Sequence, residues 1–165
     1  MLKLTVDLWN SSLEIEARIM HKITGEFKKL PFVFDTGAYM TVIHDKALLR
    51  VGYNVNKADN AIFSVVGGGN VSAKEILLRD FALVDYKGDC IQLGPIIVYA
   101  TDMTDMDTSA VLGLNVIREF ETLIKFGKQT FIELTPTFDI NNPVKYENFL
   151  RNESRFGIWA PSQIK

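Results

Sequence analysis

Apolar and polar residues alternate with a period of two along most of the chain. Apolar side chains fall at every second position through residues 2–8 and again through 13–19, with the polar segment "NSS" between them. Successive side chains of a strand point to opposite faces, so this alternation predicts two half-buried β-strands. "ITGEF" at 23–27 predicts a hairpin turn into a third strand that ends at Phe34, in which Pro31 would occupy an edge or a bulge.

The rest of the chain continues the strand pattern, and helical patterns are rare. Only "HDKALLR" from residue 44 and "NVIREFE" from residue 115 read as helices, each of about two turns. Many short strands separated by glycine-marked turns predict an all-β domain. Further strands are expected at 41–43, 61–66, 71–78, 81–86, 91–100, 122–126 and 130–134.

The strand pattern divides the chain into a body and a tail. At 165 residues the chain suits a single domain, which we place at residues 1–135, with a C-terminal extension at 136–165. Disordered segments are normally poor in aromatic residues, so we expect this extension to dock on the body or on a second subunit; a partly ordered terminus is the alternative. Its aromatic residues include Tyr146, Phe149, Phe156 and Trp159.

Charge and composition exclude several classes of partner. The net charge is -2 and Lys28–Lys29 is the only adjacent basic pair, so nothing favours nucleic acid or an anionic membrane. The apolar stretch at 95–100 is far shorter than a membrane span. The first ten residues lack the apolar core of a signal peptide, and Cys90 is the single cysteine. We therefore expect a cytoplasmic protein.

Three segments carry the candidate chemistry. Asp35 directly follows an apolar strand, where an ionised carboxylate is expensive to bury, so it is either a turn residue or a group tuned for chemistry. "FSVVGGGNVSAKE" at 63–75 predicts a hairpin with a side-chain-free tip, suited to lying over a ligand backbone. "AVLGLNVIREF" at 110–120 predicts a short strand, a glycine that permits close backbone approach, and a helix.

These segments, in this order, resemble the retropepsin-like aspartic proteases, which include the retroviral enzymes and cellular relatives of the DNA-damage-inducible type. The matching motifs are "VFDTGA" followed by "MTVI", then "VVGGG", then "VLGLN", and they span about residues 13–134. The resemblance implies an all-β, closed barrel-like lobe with a flap hairpin and one or two short helices. Residues 1–135 would then be the protease domain.

The resemblance also implies a catalytic mechanism that needs two chains. Asp35 would be the catalytic residue, Thr36 would hydrogen-bond across the pair of loops, and the Gly37 N–H would approach the carboxylate. The family uses two carboxylates that share one proton. Asp107 is followed by Thr108 and Ser109 rather than by Thr-Gly, so we interpret it as a loop residue. The second carboxylate would come from a second copy of Asp35 in a homodimer.

A peptide substrate is the partner that the resemblance implies, bound as an added β-strand beneath the flap, with no cofactor. Gly113 and Asn115 would form a structural motif, and Tyr39 is bulkier than the residue usual in the family, which could alter a subsite or the loop packing. We expect the substrate to contact Ala38, Ile43, Val65, Val66, Gly67, Gly68, Gly69 and Val111.

Alternatives remain at each level. The same dimer could be a catalytically silent peptide-binding module, or the chain a structural β-domain in which Asp35 is a turn residue. His44–Asp45 resembles a metal-binding pair but is better explained as a helix start. "TDMTDMD" at 101–107 could bind calcium through Asp102, Asp105 and Asp107, but it lacks the glycine and the terminal Glu of an EF-hand loop. We therefore predict no metal site.

Overall fold

The structure of the protein is a computed structural model that describes residues 1–9, 12–65, 68–93 and 95–137. Val66, Gly67 and residues 138–165, on which several sequence predictions fall, lie outside the described residues. The strands are β1 (Leu2–Trp9), β2 (Ser12–Met20), β3 (Phe27–Phe34), β4 (Val42–His44), β5 (Asp59–Val65), β6 (Gly69–Leu78), β7 (Phe81–Val84), β8 (Cys90–Leu93), β9 (Ile96–Thr101), β10 (Ala110–Leu112), β11 (Phe120–Lys125) and β12 (Phe131–Pro136).

The helices within these residues are short. Helix α1 (Asp45–Arg50) has six residues, α2 (Leu114–Ile117) has four, and a 3-10 turn covers Val55–Lys57. The α2 prediction was too long at its C-terminal end, because Phe120 already begins β11. Nowhere in the described part of the chain is a helix both long and apolar enough to span a membrane.

The strands form one sheet with the order β11-β12-β1-β2-β3-β10-β4-β9-β6-β5, and β7 pairs with β2 and β8 away from this path. Nine of the eleven pairings between the described strands are antiparallel, and five of these nine join consecutive strands as hairpins. Antiparallel sheets commonly bury one face, which explains the period-two pattern. The exceptions are β10 with β3 and β4 with β9, which are parallel. The mostly β architecture with few short helices confirms that part of the fold prediction.

The sheet does not close into a barrel, so the closed barrel-like lobe is corrected. Closure would require β11, at one end of the path, to hydrogen-bond with β5 at the other, and the pairings of the described strands give an open order instead. Strand β1 bridges the two parts of the sheet. It pairs with β12 through residues 2–5 and with β2 through residues 6–9.

Two sequence predictions depended on proline and glycine. Pro31 lies in the part of β3 that, among the described residues, pairs with β2 alone, so its missing N–H costs no bond to a second neighbour. The single strand predicted over 91–100 is two strands, β8 and β9, which belong to different pairings. Both elements were visible as apolar runs, and the Gly94–Pro95 dipeptide of the sequence marks the break between them.

One face of the central strands packs into a single hydrophobic core. Phe32 of β3 and Phe81 of β7 are both fully buried, with ring centroids 6.1 Å apart. Leu112 of β10 and Ile43 of β4 are equally buried. This packing holds β3, β4 and β10 together, and these are the strands that surround Asp35.

We predict that Phe32→Ala lowers the free energy of unfolding by about 3–5 kcal/mol, because the ring is fully buried and its removal leaves a cavity. Phe126→Ala is the matched control: the same change at a side chain that is 72% exposed should cost less than about 0.5 kcal/mol. Urea denaturation followed by tryptophan fluorescence or circular dichroism measures both. Equal losses for the two variants would contradict this core.

Candidate active site

Asp35 sits at the start of a loop that connects two strands of the sheet. The loop runs from the end of β3 to the start of β4, and β10 lies between these two strands, parallel to β3 and antiparallel to β4. The Asp35 N–H donates to the Leu112 carbonyl at 3.1 Å, so β10 fixes the backbone at the residue itself. A strand that pairs with both ends of a loop sets the separation of those ends.

The carboxylate of Asp35 faces solvent in the single chain. The Gly37 N–H donates to Asp35 Oδ1 at 2.8 Å, which is the contact that the family resemblance implies for this glycine. A Cβ at Gly37 would lie 3.1 Å from the same oxygen, so a side chain there would crowd the carboxylate. Asp35, Thr36 and Gly37 are all exposed. The single chain therefore does not bear the desolvation cost that a buried Asp35 carboxylate would have.

A buried network of hydrogen bonds joins the end of the Asp35 loop to β9 and to the start of α2. Thr41, at 1% exposure, donates from both its backbone N–H and its hydroxyl to Asn115 Oδ1, each at 2.8 Å. The same hydroxyl accepts the Gly113 N–H at 3.1 Å, and the Asn115 amide donates to the Ile97 carbonyl at 3.0 Å. Every one of these groups is satisfied, as buried polar groups must be.

The helix that follows β10 is anchored on the same loop. The Leu114 N–H donates to the Ala38 carbonyl at 2.8 Å, and the Asn115 N–H donates to the Tyr39 carbonyl at 3.1 Å. Gly113 allows this contact, because a Cβ on it would come within 3.0 Å of the carbonyl group of Met40. The glycine is therefore required for close approach of two backbones and not for an unusual φ.

Half-buried side chains line the sheet face that leads away from Asp35. Directly opposed residues of neighbouring strands share a face, and a row of such partners crosses β3, β10, β4 and β9. Val33 and Val111 in this row are only partly buried, and Asp35 comes two residues after Val33. The members of the row are Val33, Val111, Val42 and Tyr99.

The predicted glycine-tipped hairpin is present as β5 and β6. Its strands pair antiparallel from Asp59–Glu75 to Val65–Gly69, and Gly69 has a φ of 76°, which glycine adopts without strain. Phe63 of the hairpin stacks on Tyr99, with ring centroids 6.0 Å apart and an interplanar angle of 27°. This stack joins the hairpin to the row that begins near Asp35.

The predicted substrate-contact residues fall in different environments. Val111, Val65 and Ala38 are partly exposed, and Gly68 and Gly69 are exposed at the hairpin tip. Ile43 is fully buried in the core, on the opposite face from Val42 and Val111, so in the single chain it offers no surface to a ligand. Val66 and Gly67 lie outside the described residues.

The His44–Asp45 pair starts helix α1, as the sequence interpretation favoured. His44 is the N-cap, and its side chain accepts a hydrogen bond from the Lys46 N–H. Asp102 lies near, with its Oδ1 3.8 Å from His44 Nε2. Two hydrogen bonds from Thr104 to the Asp102 carboxylate lower its pKa. Capping and turn formation account for this group of side chains, and the loop containing Asp102, Asp105 and Asp107 is exposed.

The arrangement of strands matches a known fold. A crystal structure of a retropepsin-like aspartic protease from Rickettsia conorii superposes with a TM-score of 0.54, covering 81% of this chain and 88% of that chain at 16% sequence identity. The chain has a retropepsin-like fold. The retroviral protease-like domain of Ddi1 from Leishmania major aligns with a TM-score of 0.42 and 13% identity, covering 76% of this chain and 95% of that chain.

The sequence itself matches no family model and no curated protein. The retropepsin-like fold is therefore identified by the arrangement of the backbone, together with the few motif residues around Asp35. Thr41 is the loop-supporting residue that sequence reasoning missed. Its signal was a lone hydroxyl in the apolar run "MTVI" at 40–43, which in a buried strand demands a hydrogen-bond partner.

We predict that Thr41→Val destabilises the protein by about 1–3 kcal/mol, because the substitution keeps the shape but leaves the buried Gly113 N–H without an acceptor. Thr122→Val on the exposed surface of β11 is the control and should change stability by less than about 0.5 kcal/mol. Chemical denaturation measures the difference. If Thr41→Val leaves the free energy of unfolding unchanged, the network does not support the loop.

We also predict that Gly113→Ala prevents normal folding of the Asp35 loop, because the new Cβ would overlap the Met40 carbonyl group and lie 2.8 Å from the Thr41 nitrogen. Gly127→Ala is the control, since its nearest neighbour would be the Gln129 carbonyl oxygen at an ordinary 3.8 Å. Thermal melts and amide hydrogen exchange of the loop report the effect. Equal exchange protection in the two variants would contradict the tight packing at Gly113.

Proposed function

We propose that the protein belongs to the retropepsin-like aspartic proteases and hydrolyses peptide bonds as a homodimer. The observation that carries the proposal is the Asp35 loop, in which Asp-Thr-Gly follows a strand, the Gly37 N–H bonds the carboxylate, and Thr41, Gly113 and Asn115 hold the loop from below. The likeness to the fold of a retropepsin-like aspartic protease supports the proposal. A turn aspartate alone would need no such support.

Dimer formation follows from the chemistry that the proposal requires. One chain supplies one Asp-Thr-Gly loop, and its carboxylate is exposed. A twofold axis next to the loop would bring Asp35 of one protomer against the partner subunit's Asp35. Two carboxylates about 3 Å apart cannot both ionise, so the pair would hold one proton between them. In this arrangement Thr36 would hydrogen-bond across the axis and hold the two loops in register.

The proposed reaction uses both protonation states of the pair. The ionised carboxylate removes a proton from a bridging water as the water oxygen attacks the peptide carbonyl carbon, while the protonated carboxyl group donates its proton to the carbonyl oxygen. The tetrahedral intermediate then collapses. The C–N bond breaks, the leaving nitrogen takes a proton from one carboxyl group, and a hydroxyl proton of the intermediate returns to the pair, which restores the starting state.

The sheet provides the surface for an extended peptide. A substrate lying along the row from Val33 to Tyr99 would place alternate side chains against partly buried valines. The β5–β6 hairpin would act as the flap, because its glycine tip lacks side chains that would obstruct a peptide backbone. Apolar side chains of the substrate would enter the space at Val33 and Val111.

We predict that Asp35→Asn lowers the rate of peptide cleavage by about 10²–10⁴-fold or more, because the amide can neither take nor give the catalytic proton. Cleavage of unfolded protein or of a peptide library, monitored by mass spectrometry from acidic to neutral pH, measures the loss. Analytical ultracentrifugation should show the same dimer for both proteins, and the specific activity of the native protein should rise as dimers form.

Asp89→Asn is the matched control, since it removes an exposed carboxylate in the β7–β8 turn and should leave activity unchanged. Retained cleavage by Asp35→Asn would refute the assignment of Asp35. A stable native dimer that binds peptides but cleaves none at any pH in this range would favour the silent binding module instead.

A further inference from the structure

The row of opposed residues does not stop at Tyr99. On the next strand, β6, Glu75 is directly opposite Tyr99, and on β5 Asp59 is directly opposite Glu75. Opposed residues share a face, so Glu75 lies on the same partly exposed face as Val33 and Val111. The face that begins beside Asp35 with valine therefore ends in an aromatic ring and a carboxylate.

Tyr99 and Phe63 form an aromatic surface next to Glu75. Their stacked rings are both partly exposed, and Tyr39, in the Asp35 loop, is 63% exposed. Burial raises the pKa of the Tyr99 phenol, and the nearby Glu75 carboxylate and Tyr39 phenol raise it further. Glu75 lies beside Tyr99 because the two residues are directly opposed on neighbouring strands, although they are far apart in the sequence.

Glu75 has no cation partner in the described part of the chain. Glu75 is partly buried and makes neither a hydrogen bond nor an ion pair with another described residue, and its directly opposed neighbour Asp59 has the same charge. The adjacent cation, Lys74, donates instead to the Asn60 side chain and the Ala58 carbonyl. Like charges directly opposite each other destabilise a sheet, so an external cation would relieve a cost that the free protein carries.

We propose that Tyr99, Phe63 and Glu75 form a specificity subsite for a lysine or arginine side chain of the peptide substrate. The inference rests on the proposed peptidase function and names the substrate class of that same site. The aliphatic stem of the basic residue lies on the two rings, its positive charge is attracted to their faces, and its head group forms an ion pair with Glu75.

The position of the subsite fits a residue near the cleaved bond. Three strand spacings separate β3 from β9, or roughly 14 Å, and an extended peptide rises about 3.4 Å per residue. A side chain within about four residues of the cleaved bond therefore reaches Tyr99, and the length of a lysine or arginine side chain brings its charge to Glu75. An aspartate or glutamate at this substrate position would meet two carboxylates, Glu75 and Asp59, and be rejected.

The test compares matched peptide sets that differ at one residue at a time, two to four positions from the cleaved bond on either side. Each set contains lysine, its uncharged analogue norleucine, and glutamate. For the native protein we expect kcat/KM to favour lysine over norleucine by about tenfold or more at one of these positions, with glutamate the poorest. Glu75→Gln keeps the shape of the side chain and should bring the lysine to norleucine ratio close to one.

Two further variants separate the charge from general damage. Glu75→Lys should reverse the preference, so that the glutamate peptide becomes better than the lysine peptide. Glu121→Gln removes an exposed carboxylate from β11, at the other end of the sheet, and should keep the native ratio. The same lysine-to-norleucine comparison can be made without cleavage, by measuring the dissociation constants of peptides in which the bond to be cleaved is reduced.

The outcomes distinguish this inference from the proposed function. If the native protein cleaves peptides but Glu75→Gln has an unchanged lysine to norleucine ratio, the subsite is overturned while the peptidase stands. A native preference for norleucine or for an aromatic residue at every tested position also overturns it. If the native dimer neither cleaves nor binds any peptide of the sets, the proposed function fails first and the subsite fails with it.

Discussion

The Asp35 loop keeps its shape because one buried hydroxyl group, that of Thr41, connects three parts of the chain. It donates to the Asn115 side chain and accepts the Gly113 N–H, while the Asn115 amide reaches the Ile97 carbonyl on β9. A buried polar group without partners costs about 1–3 kcal/mol, so this network stabilises only the one arrangement that satisfies all its members. β10 then lies between the two strands that flank the loop, and the exposed carboxylate takes its position from that strand.

The two faces of the central strands differ in how deeply their side chains are buried. Ile43, Phe32 and Leu112 are on the core face and are fully buried, whereas Val33 and Val111 on the other face stay partly exposed. Alternation along a strand therefore separates residues that stabilise the fold from residues that are free to contact a ligand. It also explains why Ile43 and Val111, both chosen from the sequence as contacts of a substrate, lie in such different surroundings.

Local patterns predicted most of the strands and the Asp35 segment, since alternation and the Asp-Thr-Gly triplet are readable over a few residues. The sequence could not reveal which strands pair, because that depends on contacts between distant residues. The open sheet and the early end of α2 were missed for this reason, whereas the break between β8 and β9 has a local signal, Gly94–Pro95, that was overlooked. Tyr99 and Glu75 stand out only once β9 is seen beside β6, and Thr41 only once Asn115 is seen beneath it.

The hydrogen bond between Thr41 and Asn115 joins residues 74 positions apart in the sequence. Closing a loop of that length has an entropic cost that is recovered only when the strands on both sides are in place, and contacts of this kind form slowly. While the chain is being synthesised, the Asp35 segment therefore lacks its support until residue 115 is available. A partly folded chain therefore has no finished Asp35 loop, because the carboxylate reaches its final position only after β10 and α2 have been added.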